Sequence, residues 1–259
     1  MQVSGWIVHA FESVTSTMDV AHRLAVEGAP DRTLVWAARQ EQGRGRLGRT
    51  WASPEGGVYL SLILKPSRPP AEIPQLSLVA GLAVAEAIQE LTGLFASIRW
   101  PNDLLINEQK VAGILAEGSR LRAEGDSRSL EPRALSLAQV VIIGIGINVT
   151  TDPSQLPDTA TSLNSAFSIQ HSELLYRLTG EVCRHFSVWY DRWLAQGFAP
   201  IREALRPWIG LFGHPVLLTA GSHRFEGTAV DIDEQGRLVV RLDSGILRAF
   251  EAGEVTRLR

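Results

Sequence analysis

Residues 43–49 read Gly-Arg-Gly-Arg-Leu-Gly-Arg, three glycines and three arginines in seven positions. Such a loop offers free backbone N–H groups, concentrated positive charge and little bulk. Those are the needs of a site that folds over a phosphate-bearing ligand. Asn102 and Asp103 follow Pro101 in a Trp-Pro-Asn-Asp turn, and Lys110 opens the next apolar segment. Polar groups converging at a strand edge are what a binding site presents; an Asx-turn beside a solvated lysine is the plainer alternative. Gly144, Gly146 and Asn148 lie in an apolar run, and strand alternation sets them on one face, as a pocket floor ending in an amide. Ser16 and Thr17 precede a helical stretch, where they cap the helix or reach a ligand.

Several chemistries are excluded. Gly43-x-Gly45-x-x-Gly48 matches the dinucleotide-binding fingerprint by letter, but that fingerprint works only where a helix opens on the last glycine. Here Trp51-Ala-Ser-Pro-Glu-Gly-Gly follows, a turn into another strand. A solvated hairpin tip or an RNA-binding tract would carry the same letters. There is no Gly-x-Ser-x-Gly, no Gly-Lys-Ser/Thr and no His-Glu-x-x-His, and the six histidines lack ligand spacing. The single cysteine, Cys183, forms no intrachain disulfide and reads as an inert thiol on a helix. Nothing proposes a covalent side-chain nucleophile.

The loop is held between two apolar runs, 33–38 and 58–64, both read as strands. A first strand covers 6–13; a helix follows from a Thr15 or Ser16 cap, with Asp19 in its first turn, and ends at Gly28 and Pro30. Residues 75–92 keep the i, i+3, i+4, i+7 pattern of a core helix. A strand then runs into Trp100-Pro-Asn-Asp, Asn107-Glu-Gln closes a hairpin, and 110–117 returns. Residues 118–136, with alternating charges, glycine and proline, read as a surface loop. A strand buried on both faces spans 140–149, and helices cover 172–194 and roughly 198–208. From Gly213 short alternating segments at 215–219, 224–232, 238–242 and 246–250 argue for a small antiparallel barrel. The boundary near 209–213 divides the chain into 1–211 and 212–259. With 259 residues, 45% hydrophobic and 20% charged, the chain is long enough for a large core and one or two domains. Formal net charge is −3, so the loop arginines are a local concentration. Lys65 and Lys110 are the only lysines, which hints at places needing a compact charge.

Taken together, Ser16-Thr17 before a helix, Gln40 ahead of Gly43–Arg49, Trp51, Trp100-Pro-Asn-Asp103, Lys110-x-Ala-Gly113-Ile-Leu and Gly144-x-Gly-x-Asn148 resemble biotin–protein ligases. The likeness covers about residues 8–150 and extends loosely into the C-terminal segment. It implies an α+β fold: a central mixed β-sheet with helices packed on one side, followed by a small C-terminal β-barrel. It implies an enzyme that joins biotin to ATP as biotinyl-5′-AMP, with Mg²⁺, releases pyrophosphate, and passes biotin to a lysine of a biotin carboxyl carrier protein domain. Ser16, Thr17 and Gln40 then resemble partners of the ureido ring. Met18, Gly113 and Gly144 line the biotin slot, and Arg44, Gly45 and Arg46 cover the carboxylate and adenylate. Lys110 and Arg46 resemble the catalytic cations. Arg46, Arg49, Trp51, Asn102, Asp103 and Asn148 resemble the nucleotide side, with Asp103 as a magnesium contact. Met18 departs from a frequent asparagine and Leu47 from a frequent arginine, and residues 118–136 make a longer loop than the family's pattern. No helix-turn-helix precedes the first strand, so a short form lacking a DNA-binding domain is expected. That form would be cytoplasmic, monomeric or homodimeric, and would bind neither nucleic acid nor membrane. A lipoate or octanoate attachment enzyme of the same fold is the alternative; an RNA-binding module fits the net charge poorly.

Overall fold

A computed structural model describes residues 2–121, 138–163 and 171–258. The chain opens with β1 (Ile7–Val14), α1 (Thr17–Val26), β2 (Thr33–Gln40) and β3 (Gly57–Leu64). After α2 (Gln75–Thr92) come β4 (Ser97–Arg99), β5 (Asp103–Ile106), β6 (Gln109–Leu121) and β7 (Ala138–Asn148). These seven strands form one mixed sheet in the order β1-β2-β3-β7-β6-β5-β4, with only β1 and β2 parallel. Residues 118–121 of the expected surface loop extend β6, and 122–136 lie outside the described residues.

Every residue of β3 is buried, because both faces of the sheet are covered, which is why its sequence is a continuous apolar run. The helices α2 and α3 (His171–Gln196) pack together on one face. Helix α1 lies on the other, where Met18, Val20, Ala21 and Ala25 meet Val35, Ala37, Ile63, Val140 and Ile142. Helices therefore flank both faces. α1 needs only a narrow apolar stripe, which leaves part of its sheet face open as a cavity.

The α2–α3 contact is tied by polar groups. Trp193 Nε1 donates to Gln75 Oε1 at 2.7 Å, and Trp189 Nε1 to Glu86 Oε2 at 2.7 Å. His185 bridges Glu86 (2.9 Å) and Glu90 (2.8 Å) with its two ring nitrogens. α4 (Ala199–Leu205) leads to β8 (Pro215–Ala220), β9 (His223–Ile232), β10 (Leu238–Leu242), β11 (Leu247–Phe250) and β12 (Glu254–Arg257). These make an antiparallel five-stranded sheet ordered β11-β10-β9-β8-β12. The β9–β10 turn seats on the large sheet: Trp100 Nε1 donates to the Gly236 carbonyl at 3.0 Å. Among the described residues, no helix is long and apolar enough to cross a membrane.

The His185 bridge makes stability pH-dependent. Hydrogen bonding to Glu86, opposed by burial and reinforced by Glu90, raises the His185 pKa above its ordinary value. A raised pKa means the folded state binds the proton more tightly, so the stabilisation is complete below the unfolded pKa of about 6.5. It is lost as pH rises through the folded value. His185→Gln should cost about 1 kcal/mol near pH 5.5, with the difference closing at alkaline pH, as read from urea midpoints across the range.

Candidate functional site

The loop between β2 and β3 is closed at its base by backbone. Trp51 N donates to the Gly43 carbonyl at 2.8 Å, and Gln40 N to the Ser53 carbonyl at 3.1 Å. A Cβ on Gly43 would lie 2.4 Å from both Ser53 Oγ and the Trp51 carbonyl, so only glycine allows this crossing. The tip turns through Leu47, at φ 57° and largely exposed. Each arginine points a different way. Arg44 bonds Asp19 at 3.0 Å and Glu117 at 2.7 Å. Arg46 turns inward and donates to Asn102 Oδ1 at 2.8 Å. Arg49 reaches Glu254 on β12.

Beneath the loop lies a narrow, partly enclosed slot, small in this closed arrangement of the loop. Its floor is glycine. Gly113 and Gly146 are register partners on β6 and β7, and a Cβ on Gly146 would sit 2.5 Å from Trp51 Nε1. A Cβ on Gly144 would meet Met18 Sδ at 2.6 Å. One end of the slot is polar and neutral. Gln40 Oε1 accepts from Thr17 N at 2.8 Å and Thr17 Oγ1 at 3.0 Å, Gln40 Nε2 donates to Ser53 Oγ at 2.8 Å, and Ser61 Oγ donates to Thr17 Oγ1 at 2.9 Å.

The other end is cationic. Lys110 Nζ lies 2.6 Å from Asp103 Oδ1, as an ion contact rather than an aligned hydrogen bond, and 5.1 Å from the centre of the Trp51 ring. Asp103 Oδ2 accepts from Arg99 at 2.8 Å. A β-bulge aims the lysine. Leu104 pairs with Ala112 and Leu105 with Lys110, so Val111 is an extra residue on β6. Without it, Lys110 and Gly113, three apart, would face opposite sides. With it, Lys110 Cε comes within 3.1 Å of where a Gly113 Cβ would be. Burial lowers the Arg46 pKa, with Arg49 adding to this and Asp103 opposing it. A guanidinium stays charged regardless, so Arg46 is a partly desolvated cation facing the slot.

Most residues singled out in the sequence line this cavity: Thr17, Met18, Gln40, Arg44, Gly45, Arg46, Trp51, Asn102, Lys110, Gly113 and Gly144. Asp103 and Arg49 line an adjoining cleft toward β12. Ser16 lies outside the slot: it is fully buried, and its Oγ accepts from Met18 N at 3.3 Å as the α1 cap. Asn148 is buried and stands outside the slot lining; it donates to the Thr161 carbonyl at 3.0 Å, while its Oδ1 has no partner. Sequence reasoning missed Ser53, Ser61, Arg99 and Glu117. Ser61 carried a signal, as the one polar side chain in the apolar run of β3.

Residues 10–130 match the biotin/lipoate A/B protein ligase family, and residues 211–257 match the biotin protein ligase C-terminal domain. The bifunctional ligase/repressor BirA of Bacillus subtilis is 35% identical over 97% of this chain and 74% of its own length. The biotin--[acetyl-CoA-carboxylase] ligase of Paracoccus denitrificans is 32% identical over 89% and 92%. Among solved structures, the Aquifex aeolicus biotin protein ligase in complex with biotin and ATP aligns with a TM-score of 0.76 at 30% identity, covering 98% of this chain and 99% of that one.

The bare floor predicts opposite outcomes for two glycines. Gly146→Ala must displace the Trp51 indole and should cost about 1–3 kcal/mol. Gly180, in α3 with nothing within 4 Å of an added Cβ, should gain about 0.4–1 kcal/mol as alanine. Urea midpoints of the two variants against the parent check both signs.

Proposed function

This chain belongs to the biotin/lipoate A/B protein ligase family, and on that premise we propose that it is a biotin–protein ligase. In this reading it condenses biotin with ATP to biotinyl-5′-AMP and pyrophosphate, then transfers biotin to a lysine of a biotin carboxyl carrier protein domain. The observation that carries the choice of substrate is the neutral amide–hydroxyl end of the slot, Gln40 with Thr17, opposite the cationic end. A ureido ring has hydrogen-bonding needs that such an end can meet. An apolar lipoyl or octanoyl tail has no such needs and would gain nothing from those groups while taking the place of their solvent.

The roles follow from position. The acid's carboxylate oxygen attacks the α-phosphorus, the bond to the β-phosphate oxygen breaks, and pyrophosphate leaves. Two anions meet in that step, so cations must be in place beforehand. Lys110 and Arg46 supply them, drawn from Asp103 and Asn102 as the ligands enter. Gly113, Gly144 and Met18 shape the biotin slot, and Arg44 and Gly45 cover it through the loop backbone. Trp51, Asn102, Asp103, Arg49 and Asn148 face the nucleotide, and Ser16 acts through its cap on α1. The carrier lysine nitrogen then attacks the acyl carbon and AMP leaves; that step needs positioning and dryness more than a protein nucleophile. Asp103 fits a resident metal poorly, because its carboxylate is already held between Arg99 and Lys110. Magnesium therefore comes with ATP as the substrate complex. The division into 1–211 and 212–259, and a cytoplasmic setting, belong to the same reading.

Incubating the purified chain with biotin and MgATP should release pyrophosphate in a biotin-dependent burst. Adding a biotin carboxyl carrier domain should label one lysine, seen by intact mass. Burst and labelling with lipoate or octanoate in place of biotin would instead select the acyl-ligase reading. Arg46→Gly removes the inward cation and its Asn102 contact. It should release the adenylate at least about tenfold faster, measured by hydrolysis and non-specific lysine labelling; unchanged retention would remove that role.

A further inference from the structure

The tip of the loop closes without burying anything apolar; the apolar contact lies beyond it, where Trp51 packs on the glycine floor. None of residues 46–48 is buried, and Leu47 at the tip is 78% exposed. Between Arg44 and Thr50 the backbone supplies only two local bonds, Gly45 N to the Arg49 carbonyl and Arg49 N to the Arg46 carbonyl; the others, from Glu41, Gln42 and Trp51, hold the base. What holds the segment down is therefore side-chain pairing. Arg46 is committed to the slot. Arg44 is not: its guanidinium reaches away, onto Asp19 of α1 and Glu117 of β6. Glu117 is itself held, because its second oxygen contacts His22 Nε2 at 2.8 Å. Gly113, Leu115 and Glu117 share one strand face, so the carboxylate that grips the loop stands on the same face as the slot floor.

We infer that Glu117 and Asp19 are positioning residues: they hold Arg44 and thereby set how long the loop stays closed over the activated acyl intermediate. This rests on the ligase reading for what is retained, but the closure itself is independent of it. The carboxylates touch neither substrate, so their loss should change the lifetime of the closed state and leave the first chemical turnover in place. Two partly exposed ion pairs supply a modest effect that salt screens.

The test uses Glu117→Gln and Asp19→Asn in the full chain. Without ligands, trypsin should cut after Arg46 and Arg49 roughly two- to fivefold faster in either variant, while cuts elsewhere keep their rates. With labelled biotin and MgATP, the pyrophosphate burst should match the parent's, while bound label chases off roughly two- to fivefold faster. Raising KCl from about 50 to about 500 mM should bring the parent toward the Glu117→Gln rate. The exchange Arg44→Glu with Glu117→Arg should recover part of the retention that either change alone loses, with Asp19 repelling the introduced carboxylate. Loop cutting and label retention equal to the parent's, in both variants, would overturn the inference. Faster loop cutting in a protein that makes no burst would leave the latch standing and refute the ligase reading.

Discussion

Gly113 and Gly146 face each other across β6 and β7, and at Gly146 no side chain beyond hydrogen fits while the Trp51 indole rests there. The rest of the site depends on that exclusion. Glycine inside a strand costs about 0.5–1 kcal/mol in backbone freedom, and here the bare surface is covered by an indole instead of by neighbouring strand side chains. The indole in turn lies under the Lys110 ammonium, at cation–π distance. Sheet, loop and the Lys110 ammonium are thus stacked in three layers, and movement of the tryptophan would be felt by both of the others.

Charge is arranged with similar economy. The chain is acidic overall, yet Arg44, Arg46, Arg49, Arg99 and Lys110 gather around one cavity. Each is matched by a carboxylate or an amide, so the empty site holds no bare charge cluster. An anion entering the slot meets donors already in place and needs only a change of partner from them. That is preorganisation in the electrostatic sense: the solvent cost of gathering the cations is met on folding, before any ligand arrives.

Local signals in the sequence carried much of this. The bounds of α2 follow directly from its apolar period, and the strands flanking the loop follow from their composition. The loop was legible through its company: dense glycine and arginine alone fit several uses, and Trp100-Pro-Asn-Asp103 with Lys110-x-Ala-Gly113 narrowed them. What was not legible was long-range. Arg44 finds its carboxylates 25 and 73 residues away, a pairing no local pattern encodes. Ser16 and Thr17 are chemically alike at a helix start. Only the direction of Gln40 in space separates them, making one a cap and the other a slot residue. β12 is four residues long with a single buried side chain, too short for alternation to declare it. The face chosen by α1 was also hidden, since an amphipathic helix reads the same against either side of a sheet.

The extra residue at Val111 has a consequence for the spacing of the whole segment. Along a regular strand, side chains keep a strict two-beat phase, and an insertion or deletion of one residue inverts everything beyond it. β6 contains one such inversion by construction. Lys110 and Gly113 are out of phase by count and in phase in space. The interval between them therefore works as a geometric instruction: lysine, then three steps, then a residue without a side chain. A chain with the same three-step interval on a regular strand, with no bulge to absorb Val111, would fold the same sheet and turn its ammonium toward the buried helices.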